Sequence, residues 1–409
     1  MAENLACIKK MISVTAAIKI IKESVKSLSD EKINVLLSVG RYLSEDVRAK
    51  INNPPFNMSA MDGFALKYSK IYTNKSIFNI KDEIFAGNLS NVDLKKFEAV
   101  KIYTGGKVPT HADSIIIQEN ADLLKNNNVR FKEGLKKNQY IRKKGKDFKK
   151  GQIILKKNHR INEKDLGLLI ASNNKNVNVK KRPRVLLFSS GDEIVEQSKK
   201  LKDGQIYASS LYMLRELLTK TGCICKGIKI LKDNFSSIDT AFRNINNIDL
   251  IITTGGVSVG KKDLIKEYLL NKGMKLKFWK VKVKPGKPIL YGLLNNIPLF
   301  ALPGNPVSSY VCFLIFVTVA INNFNKISTK ILKIKAKLEN NIKPFSERES
   351  YLRGIYRIDK SRFYVRVLSD QDSSLMKNLS KSNCLVKIKS QVKQIRKGKE
   401  VDILIFSEI

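Results

Sequence analysis

A glycine-rich loop is the first candidate for chemistry in this chain. Residues 253–260 read TTGGVSVG, and they join an apolar segment to a helical one. Paired glycines let the backbone approach a ligand closely, and free N–H groups at a helix start attract anions. We therefore predict that Gly255, Gly256 and Ser258 bind a phosphate; a turn that only packs tightly is the alternative. The loop lacks the GxxxxGK[ST] pattern of a Walker loop.

Carboxylates lie both in the helix after this loop and in loops that follow other strand-like segments. Asp263 lies in the first turn of the helix after the glycine-rich loop, where it either stabilises the helix dipole or binds Mg²⁺. Asp192 and Glu193, in SSGDE, and Asp233, in LKDN, each follow an apolar segment. Such loop carboxylates often cap helices. Because Asp192, Glu193 and Asp233 would meet at one edge of a sheet, we predict a functional role at that edge.

The segment LPGNPVS at 302–308 forms a further turn. Asn305 can cap the next helix, and Pro306 suits its first position. Neither role explains the preceding Pro303-Gly304. A tight turn that brings backbone N–H groups to a ligand would explain it.

Four lysines lie in residues 280–288, KVKVKPGKP. The segment is either an anion-binding site or a solvated strand in a lysine-rich protein. Strand alternation would point Lys280, Lys282 and Lys284 to one face. The turn that follows would let Lys284 and Lys287 reach a single anion.

Alternating strands and helices are expected to position these loops. From Arg184 onward, apolar strand-like segments alternate with helical ones, which predicts a mostly parallel sheet covered on both faces. Ligands bind beyond the carboxyl ends of the strands in such sheets. The segments SSGDE, TTGGVSVG, KPGKP and LPGNP all fall at those ends.

The predicted fold class is multidomain α/β plus β. Residues 1–48, read as mostly helical with a helix starting after Ser13 or Thr15, and residues 152–182 form a discontinuous helical or linker domain. Residues 49–151 form a β-rich insert, 183–328 the α/β domain, and 329–409 a small C-terminal β-barrel.

Net charge does not by itself identify a partner. The 409 residues include 76 Lys+Arg and 37 Asp+Glu, for a net charge of +39. Residues 329–409 carry 19 basic and 9 acidic residues, close to an even share of that excess, so no separate basic arm exists. Coding bias of an AT-rich genome explains the charge better than a selected polyanion-binding surface, and we expect no specific nucleic acid.

Other residue types limit the class of protein further. The five cysteines form no CxxC pair, and Cys223 and Cys225 alternate along a strand, so buried free thiols are expected. With only two histidines, the chain cannot form a His-rich metal site.

The apolar run Tyr310 to Ile321 is shorter than the ~20 residues of a membrane span and predicts a buried helix. The first ten residues lack a signal-peptide core, and we expect a cytoplasmic protein without a membrane partner.

Eight motifs together resemble the molybdopterin molybdenumtransferase family. They are SAMDGFA (59–65), YTGGKVP (103–109), RKKGKD (142–147), SSGDE (189–193), LKDN (231–234), TTGGVSVGKKD (253–263), FWKVKVKPGKP (278–288) and LPGNPVS (302–308). By residue chemistry alone, the first three would be turns and a basic loop. In family order and at family spacing, the eight cover nearly the whole chain.

The resemblance implies an elongated, four-part subunit that forms a homodimer. It places the active site between the α/β domain of one subunit and the β insert of its partner. The implied substrates are adenylylated molybdopterin and molybdate, with Mg²⁺. Hydrolysis of the adenylate would deliver molybdenum to the dithiolene and release AMP.

The resemblance also implies a role for each matched residue. The pterin and its phosphate would contact Gly255, Gly256, Ser258, Pro303, Gly304, Asn305 and Pro306. Mg²⁺ or the phosphoanhydride would contact Asp263, Glu193 and Asp233. The partner subunit would supply Asp62, Thr104, Arg142 and Asp147. Molybdate and phosphate would be attracted by Lys280, Lys284 and Lys287, with Lys282 as compositional excess; Arg353 and Ser373 resemble the family's molybdate contacts more loosely.

Three positions depart from the family pattern. Asn57-Met58 stands where Asp-Asn is usual, which removes one carboxylate near the site. Lys146 replaces an acid in RKKGKD, and Ser190 replaces a threonine. None of these positions has a role in the expected chemistry.

Two other functions remain open at this point. A molybdopterin adenylyltransferase shares the α/β domain and the TTGG-type loop, but such a protein is typically that domain alone. A polyanion-binding scaffold of the same fold is the second alternative. For the leading interpretation, transient contact with an adenylyltransferase is expected.

Overall fold

The chain forms two compact units. The computed structural model describes residues 11–88, 92–132, 134–243, 245–256, 264–327, 333–343 and 347–406. The first unit contains Lys180–Ile409 together with the N-terminal segment that ends at Asp30, and the second is Glu31–Val179. The four-part division predicted from the sequence is finer than these two units and stays a prediction.

Seven helices lie in the described ranges. They are α1 (Val14–Ser24), α2 (Glu163–Ala171), α3 (Ser209–Lys220), α4 (Phe235–Phe242), α5 (Leu264–Asn271), α6 (Pro306–Phe324) and α7 (Met376–Lys381). Ser13 caps α1, since its hydroxyl oxygen accepts from the Ala16 N–H at 3.1 Å, and the predicted helix start is confirmed. Because α1 ends at Ser24 and a strand begins at Asp30, the mostly helical interpretation of residues 1–48 was too broad.

The second unit is rich in short strands, as predicted for the β insert. They are β1 (Asp30–Asn34), β2 (Val47–Arg48), β3 (Met58–Ser59), β4 (Gly63–Leu66), β5 (Ile77–Ile84), β6 (Glu98–Ile102), β7 (Ser114–Ile117), β8 (Ala121–Leu124), β9 (Asn128–Phe131), β10 (Ile141–Arg142), β11 (Ile153–Leu155) and β12 (Asn176–Lys180). Six of them form a sheet in the order β7-β4-β6-β5-β9-β8, and β1–β12, β2–β11 and β3–β10 form separate pairs. Along β4, Phe64 and Leu66 enter one core and Ala65 enters another, so both faces of this sheet are covered.

A mixed six-stranded sheet forms the centre of the first unit. The strands of this region are β13 (Arg184–Ser190), β14 (Ile194–Val195), β15 (Ile206–Tyr207), β16 (Ile224–Leu231), β17 (Leu250–Thr254), β18 (Lys275–Trp279), β19 (Val283–Lys284), β20 (Leu290–Leu294) and β21 (Ile297–Leu302). The sheet order is β16-β13-β17-β21-β20-β18. The first four strands pair in parallel, and β20 pairs antiparallel with both β21 and β18. All residues of β17 are buried, as expected for a strand covered on both faces.

The C-terminal region closes into a five-stranded barrel, which confirms the predicted small β-barrel. Its strands are β22 (Lys333–Leu338), β23 (Glu349–Asp359), β24 (Arg362–Val367), β25 (Cys384–Ile388) and β26 (Glu400–Ile405). The ladder runs β23-β24-β22-β26-β25 and returns to β23, so no strand of the barrel has a free edge. Strand β19 of the preceding region pairs in parallel with β23.

Helix α6 is a buried core helix, as predicted, but it is longer than the apolar run suggested. Its 19 residues are long and apolar enough to cross a membrane, but 83% of an 18-residue apolar window of the helix is buried inside the protein. A π-helical turn at Phe313–Val317 lies in its middle. The helix extends to Phe324 because Asn322 and Asn323 continue its last turn after the apolar run ends.

The cysteines that the structure describes are free thiols, as predicted. Cys223, Cys312 and Cys384 are buried, and Cys225 is half-buried. Burial raises the pKa of the Cys223 and Cys384 thiols to about 12, which keeps both protonated at neutral pH. Cys7 lies outside the described residues.

Because of the Asp239 carboxylate, the stability of the first unit should decrease at acidic pH. This α4 carboxylate accepts from Lys272 Nζ at 2.8 Å, from Tyr268 Oη at 3.0 Å and from Arg243 Nε at 3.1 Å. Together these contacts lower the pKa of Asp239 from 3.8 to about 2, and the contact with Lys272 has the largest effect, followed by those with Tyr268 and Arg243. Because the folded-state value lies below the unfolded one, the carboxylate stabilises the fold above pH ~4, and this contribution disappears as the pH falls to ~2.

Thermal melts of Asp239→Asn and the wild type between pH 2 and 7 check this expectation. The difference in Tm should be largest near neutral pH and should close between pH ~4 and ~2. Asp203→Asn, at an exposed loop position, is the matched control. A difference between Asp239→Asn and the wild type that stays constant over this range would contradict the assignment.

Candidate active site

One cavity lies beyond the carboxyl ends of the parallel strands in the first unit. Its volume is about 570 Å³. Strands β13, β16, β17 and β21 end beside it, as expected for a sheet of this type. It is lined by Ser189, Ser190, Gly191, Glu193, Ile194, Ile206, Tyr207, Ala208, Ser209, Ser210, Asp233, Gly255, Gly256, Gly304, Asn305, Pro306, Ser374 and Met376. Seven predicted site residues therefore lie in a single cavity: Glu193, Asp233, Gly255, Gly256, Gly304, Asn305 and Pro306.

Gly255 joins three of the loops that form this cavity. Its N–H donates to the Leu302 carbonyl oxygen at 3.1 Å, and its φ is +82°. A Cβ at this position would lie 2.5 Å from the Ser190 carbonyl oxygen. Only glycine fits, because both the backbone conformation and the approach of the neighbouring strand exclude a side chain.

Two carboxylates face the cavity from neighbouring loops. Asp233 Oδ1 accepts from Ser190 Oγ at 2.6 Å, and the Asp233 N–H donates to Asp192 Oδ1 at 3.1 Å. The Glu193 carboxylate folds back over Gly191, where an added Cβ would lie 2.5 Å from Oε2. The described residues contain no group of three or more potential metal ligands. Ser258 and Asp263, also predicted for the site, lie in 257–263, outside the described residues.

The LPGNP turn is held against the C-terminal region. Asn305 precedes α6 in the cap position, but its side chain makes no capping hydrogen bond. Its Nδ2 instead donates to Ser373 Oγ at 2.8 Å, and the Val307 N–H donates to the Ser373 carbonyl oxygen at 3.2 Å. The capping role expected for the Asn305 side chain was therefore wrong, while Pro306 begins the helix as predicted.

Arg353 lies behind the loop that carries Ser373. Its side chain is buried, and Nη2 donates to the carbonyl oxygens of Asp370 at 3.1 Å and Asp372 at 2.9 Å. Arg353 does not line the cavity, so its contact with molybdate stays a prediction. What the geometry does show is that the guanidinium orders the loop that places Ser374 at the cavity wall.

The lysine-rich segment is not one continuous strand. Strand β18 ends at Trp279, Lys280 has φ +69°, and pairing resumes with a bridge between Val281 and Ile12 and then with β19 at Val283–Lys284. The placement of Lys280 on the same strand face as the other two lysines was therefore wrong, while Lys282 and Lys284 are both exposed and alternate with buried Val281 and Val283, as predicted. The cause is non-local, because the Lys280 N–H donates to the Ile289 carbonyl oxygen at 3.0 Å and turns the chain back.

The turn after this segment packs on the core. Gly286 has φ +110°, and a Cβ there would lie 2.3 Å from Cys312 Sγ on α6. Lys284 and Lys287 are exposed on either side of this turn. Neither they nor Lys280 line the cavity, so their anion role stays a prediction.

In the second unit, three predicted motifs converge on one another. The Gly105 N–H donates to the Ser59 carbonyl oxygen at 3.0 Å, which joins YTGG to SAMDGFA. Strand β10 pairs with β3, and its last residue, Arg142, is the first residue of the segment RKKGKD. Asn57, at one of the positions that depart from the family, accepts from the Lys144 N–H at 2.9 Å. An amide oxygen thus makes this contact with the basic loop.

Asp62 and Thr104 form a direct pair. Asp62 Oδ1 accepts from the Thr104 N–H at 2.7 Å and from its hydroxyl at 2.8 Å. Both bonds lower the pKa of Asp62, and the one from the backbone N–H has the larger effect. The exposed carboxylate is therefore ionised at neutral pH. Asp147 accepts from Asn53 Nδ2 at 3.0 Å, and Arg142 is exposed.

Sequence reasoning missed two parts of the cavity wall. The stretch Ile206–Ser210 enters it at the start of α3, and a pair of serines at a helix start was an available signal. Ser374 and Met376 come from the C-terminal region. No local pattern marks them, because they reach the cavity only through the docking of their loop on LPGNP.

Comparison with known proteins agrees with this arrangement. Residues 12–172 match the MoeA N-terminal region (domain I and II), 187–323 a probable molybdopterin binding domain, and 335–406 the MoeA C-terminal region (domain IV). The molybdopterin molybdenumtransferase of Haemophilus influenzae is 33% identical over 93% of this chain and 94% of its own length. That of Nostoc is 29% identical over 91% and 88%.

A solved structure shows the same fold. The molybdopterin biosynthesis MoeA protein of Pyrococcus horikoshii superposes with a TM-score of 0.83 and is 25% identical, over 97% of this chain and 99% of its own. The resemblance seen in eight sequence motifs thus extends over all three matched regions and the whole fold. The chain belongs to the molybdopterin molybdenumtransferase (MoeA) family.

Proposed function

We propose that this protein is a transferase that inserts molybdenum from molybdate into adenylylated molybdopterin and releases AMP. The observation that carries the proposal is the single cavity that collects Gly255, Gly256, Glu193, Asp233 and the 304–306 turn at the strand ends. Backbone N–H groups suit the phosphate and carboxylates suit a phosphate-bound cation. Relatives named for this activity match more than nine-tenths of the chain.

The pterin and its phosphate would bind at the glycine-rich and LPGNP turns. Gly255 and Gly256 both have positive φ, and an added Cβ would meet the Ser190 carbonyl oxygen at 2.5 Å or the Ile265 side chain at 3.0 Å, so this turn of the cavity wall requires glycine. Gly304, Asn305 and Pro306 form the facing wall. We place Ser258 and Pro303 in the same contact set. Water is the nucleophile for the phosphoanhydride, and AMP is the leaving group.

Glu193 and Asp233 fit Mg²⁺, with Asp263 as the third candidate ligand. Mg²⁺ prefers oxygen ligands, and it usually takes one or two protein carboxylates beside water and substrate phosphate. The two carboxylates on the cavity wall meet that requirement. When bound, Mg²⁺ would offset the negative charge of the phosphoanhydride. The protein itself orients the anhydride between these carboxylates and the glycine-rich turn.

The residues of the second unit would act from a partner subunit. In this proposal the protein is a homodimer, and Asp62, Thr104, Arg142 and Asp147 complete the active site of the other subunit. The Thr104 bonds hold Asp62 ionised and oriented, which suits a residue that must act on a polar substrate without titrating near pH 7. The dimer would work in the cytoplasm and receive its substrate from an adenylyltransferase through transient contact.

Lys280, Lys284 and Lys287 would attract molybdate, with Arg353 and Ser373 close to it. We expect Lys284→Ala/Lys287→Ala to lower kcat/KM for molybdate about 100-fold, since each lost charged hydrogen bond costs about ten-fold in affinity. AMP release at a range of molybdate concentrations measures this. Lys282→Ala removes an exposed lysine of the same segment and should act as the wild type does. Equal rates for the double variant and Lys282→Ala would remove the proposed anion role.

A further inference from the structure

A second cavity lies entirely within the second unit. Its volume is about 370 Å³, a size that suits a small molecule. It is lined by Lys32 of β1, by residues 45–48, by Lys50 and by residues 173–178, at the start of β12. Three segments distant in sequence therefore meet here. None of the residues proposed for the active site is among them.

The charges of this cavity do not neutralise one another. Four basic side chains and the carboxylates of Glu45 and Asp46 line it, for a net charge of +2. The basic residues, all exposed, are Lys32, Arg48, Lys50 and Lys175. Within the part of the chain that the structure describes, none of these four forms an ion pair. Glu45 instead accepts from Asn178 Nδ2 at 2.6 Å, and Asp46 accepts from the Lys157 N–H at 2.8 Å.

Hydrogen bonds between the segments hold the backbone that carries these basic residues. The Lys50 N–H donates to the Ser172 carbonyl oxygen at 2.9 Å. Asn174 is only 6% exposed, and its Nδ2 donates to the Arg48 carbonyl oxygen at 3.1 Å and to Ser172 Oγ at 2.9 Å. A buried amide that is bonded to two segments fixes their spacing. The fold therefore sets where Arg48, Lys50 and Lys175 leave the chain, which distinguishes this group from lysines scattered over a basic surface.

We propose that this cavity binds a small molecule that carries a phosphate group. A phosphate dianion offsets the net charge of +2, and lysine and arginine are the side chains that bind phosphate most often in proteins. The amides of Asn173 and Asn176, on the same wall, can donate to or accept from the rest of the ligand. The carboxylates of Glu45 and Asp46 disfavour a long polyanion that would pass over them. This inference does not rest on the proposed function.

The acetylation rate of each cavity lysine, followed by mass spectrometry of the full-length protein, reports on the occupancy of this site. The protein is titrated with inorganic phosphate, and separately with AMP, at constant ionic strength. Lys32, Lys50 and Lys175 should become protected with one shared apparent Kd. Lys164, an exposed lysine of the same unit that does not line the cavity, should react at an unchanged rate. Protection by both probes identifies the phosphate group as the feature that is bound, and protection by AMP alone identifies a nucleotide.

Single variants with opposite expected effects decide whether the protection arises from this cavity. Lys50→Met and Lys175→Met should each raise the apparent Kd about ten-fold, as expected for loss of one charged contact, and the remaining lysines report the change. Asp46→Asn should lower the Kd, because an amide oxygen can still accept from the Lys157 N–H while one negative charge is removed. Lys164→Met should titrate as the wild type does.

Several results would overturn the proposal. Equal protection of Lys164 would show only an ion atmosphere around a basic protein. An unchanged Kd for both Lys50→Met and Lys175→Met would separate the response from the cavity, and protection by neutral adenosine as strong as that by AMP would exclude phosphate recognition. Protection by an oligonucleotide, with none by phosphate or AMP, would identify a polyanion surface instead. Because acetylation needs no turnover, these outcomes are independent of whether the protein releases AMP from adenylylated molybdopterin.

Discussion

Gly255→Ala should reduce molybdate-dependent AMP release at least ~100-fold and destabilise the protein by about 1–3 kcal/mol. The new Cβ would meet the Ser190 carbonyl oxygen at 2.5 Å, and alanine does not readily adopt the φ of +82°. Since backbone lies on both sides of the clash, one of the two strand ends must move. Such a shift displaces the phosphate contacts from the carboxylates of the neighbouring loop. Small displacements of this kind have large effects on rate.

Gly204→Ala is the matched control for this variant. Gly204 has φ +80°, but no atom lies within 4 Å of an added Cβ. It should therefore show the backbone strain alone, with a small loss of stability and near wild-type AMP release. Denaturant unfolding and initial rates for both variants check the comparison. Wild-type rates for Gly255→Ala would contradict the close contact at the centre of the site.

Asp233→Asn should lower kcat/KM about 100-fold while the fold stays intact. The amide oxygen can still accept from Ser190 Oγ, which Asp233 Oδ1 does at 2.6 Å, so the loop keeps its position. What is lost is the negative charge on the cavity wall, which the proposal uses to hold Mg²⁺ beside the phosphoanhydride. The Mg²⁺ concentration needed for half-maximal rate should rise accordingly.

Asp192→Asn separates this charge effect from the support of the loop. Asp192 accepts from the Asp233 N–H at 3.1 Å but does not line the cavity, and an asparagine can make the same bond. Its kcat/KM should fall less than ten-fold. Rates of AMP release across a Mg²⁺ titration measure both variants. A larger loss for Asp192→Asn than for Asp233→Asn would show that the important charge is that of Asp192, which would contradict the prediction.

The sequence was sufficient to predict that several loops of the α/β region meet at one place, where the structure has a cavity. Parallel strands end at one edge of a sheet, so Glu193, Asp233, Gly255 and the 304–306 turn could be expected to meet from their positions after strands. The eight family motifs supported the same assignment. These predictions succeeded because they depend on local patterns and on one general rule of sheet topology.

The parts that could not be predicted depend on contacts distant in sequence. The turn at Lys280 is set by its hydrogen bond to Ile289, and the alternation rule assumes a strand without such a turn. The Asn305 side chain bonds Ser373 instead of capping its own helix. Ser374 reaches the cavity through that same docking. No local pattern encodes the energy of these long-range contacts.

The most direct test of the central claim is AMP release by the wild-type protein supplied with adenylylated molybdopterin and Mg²⁺, with and without molybdate. The account predicts AMP in a one-to-one ratio with molybdenum bound to the pterin product, and little AMP when molybdate is left out. Failure to release AMP with molybdate present would contradict it. So would the formation of adenylylated molybdopterin from ATP and molybdopterin as the only activity, which is the reaction of an adenylyltransferase.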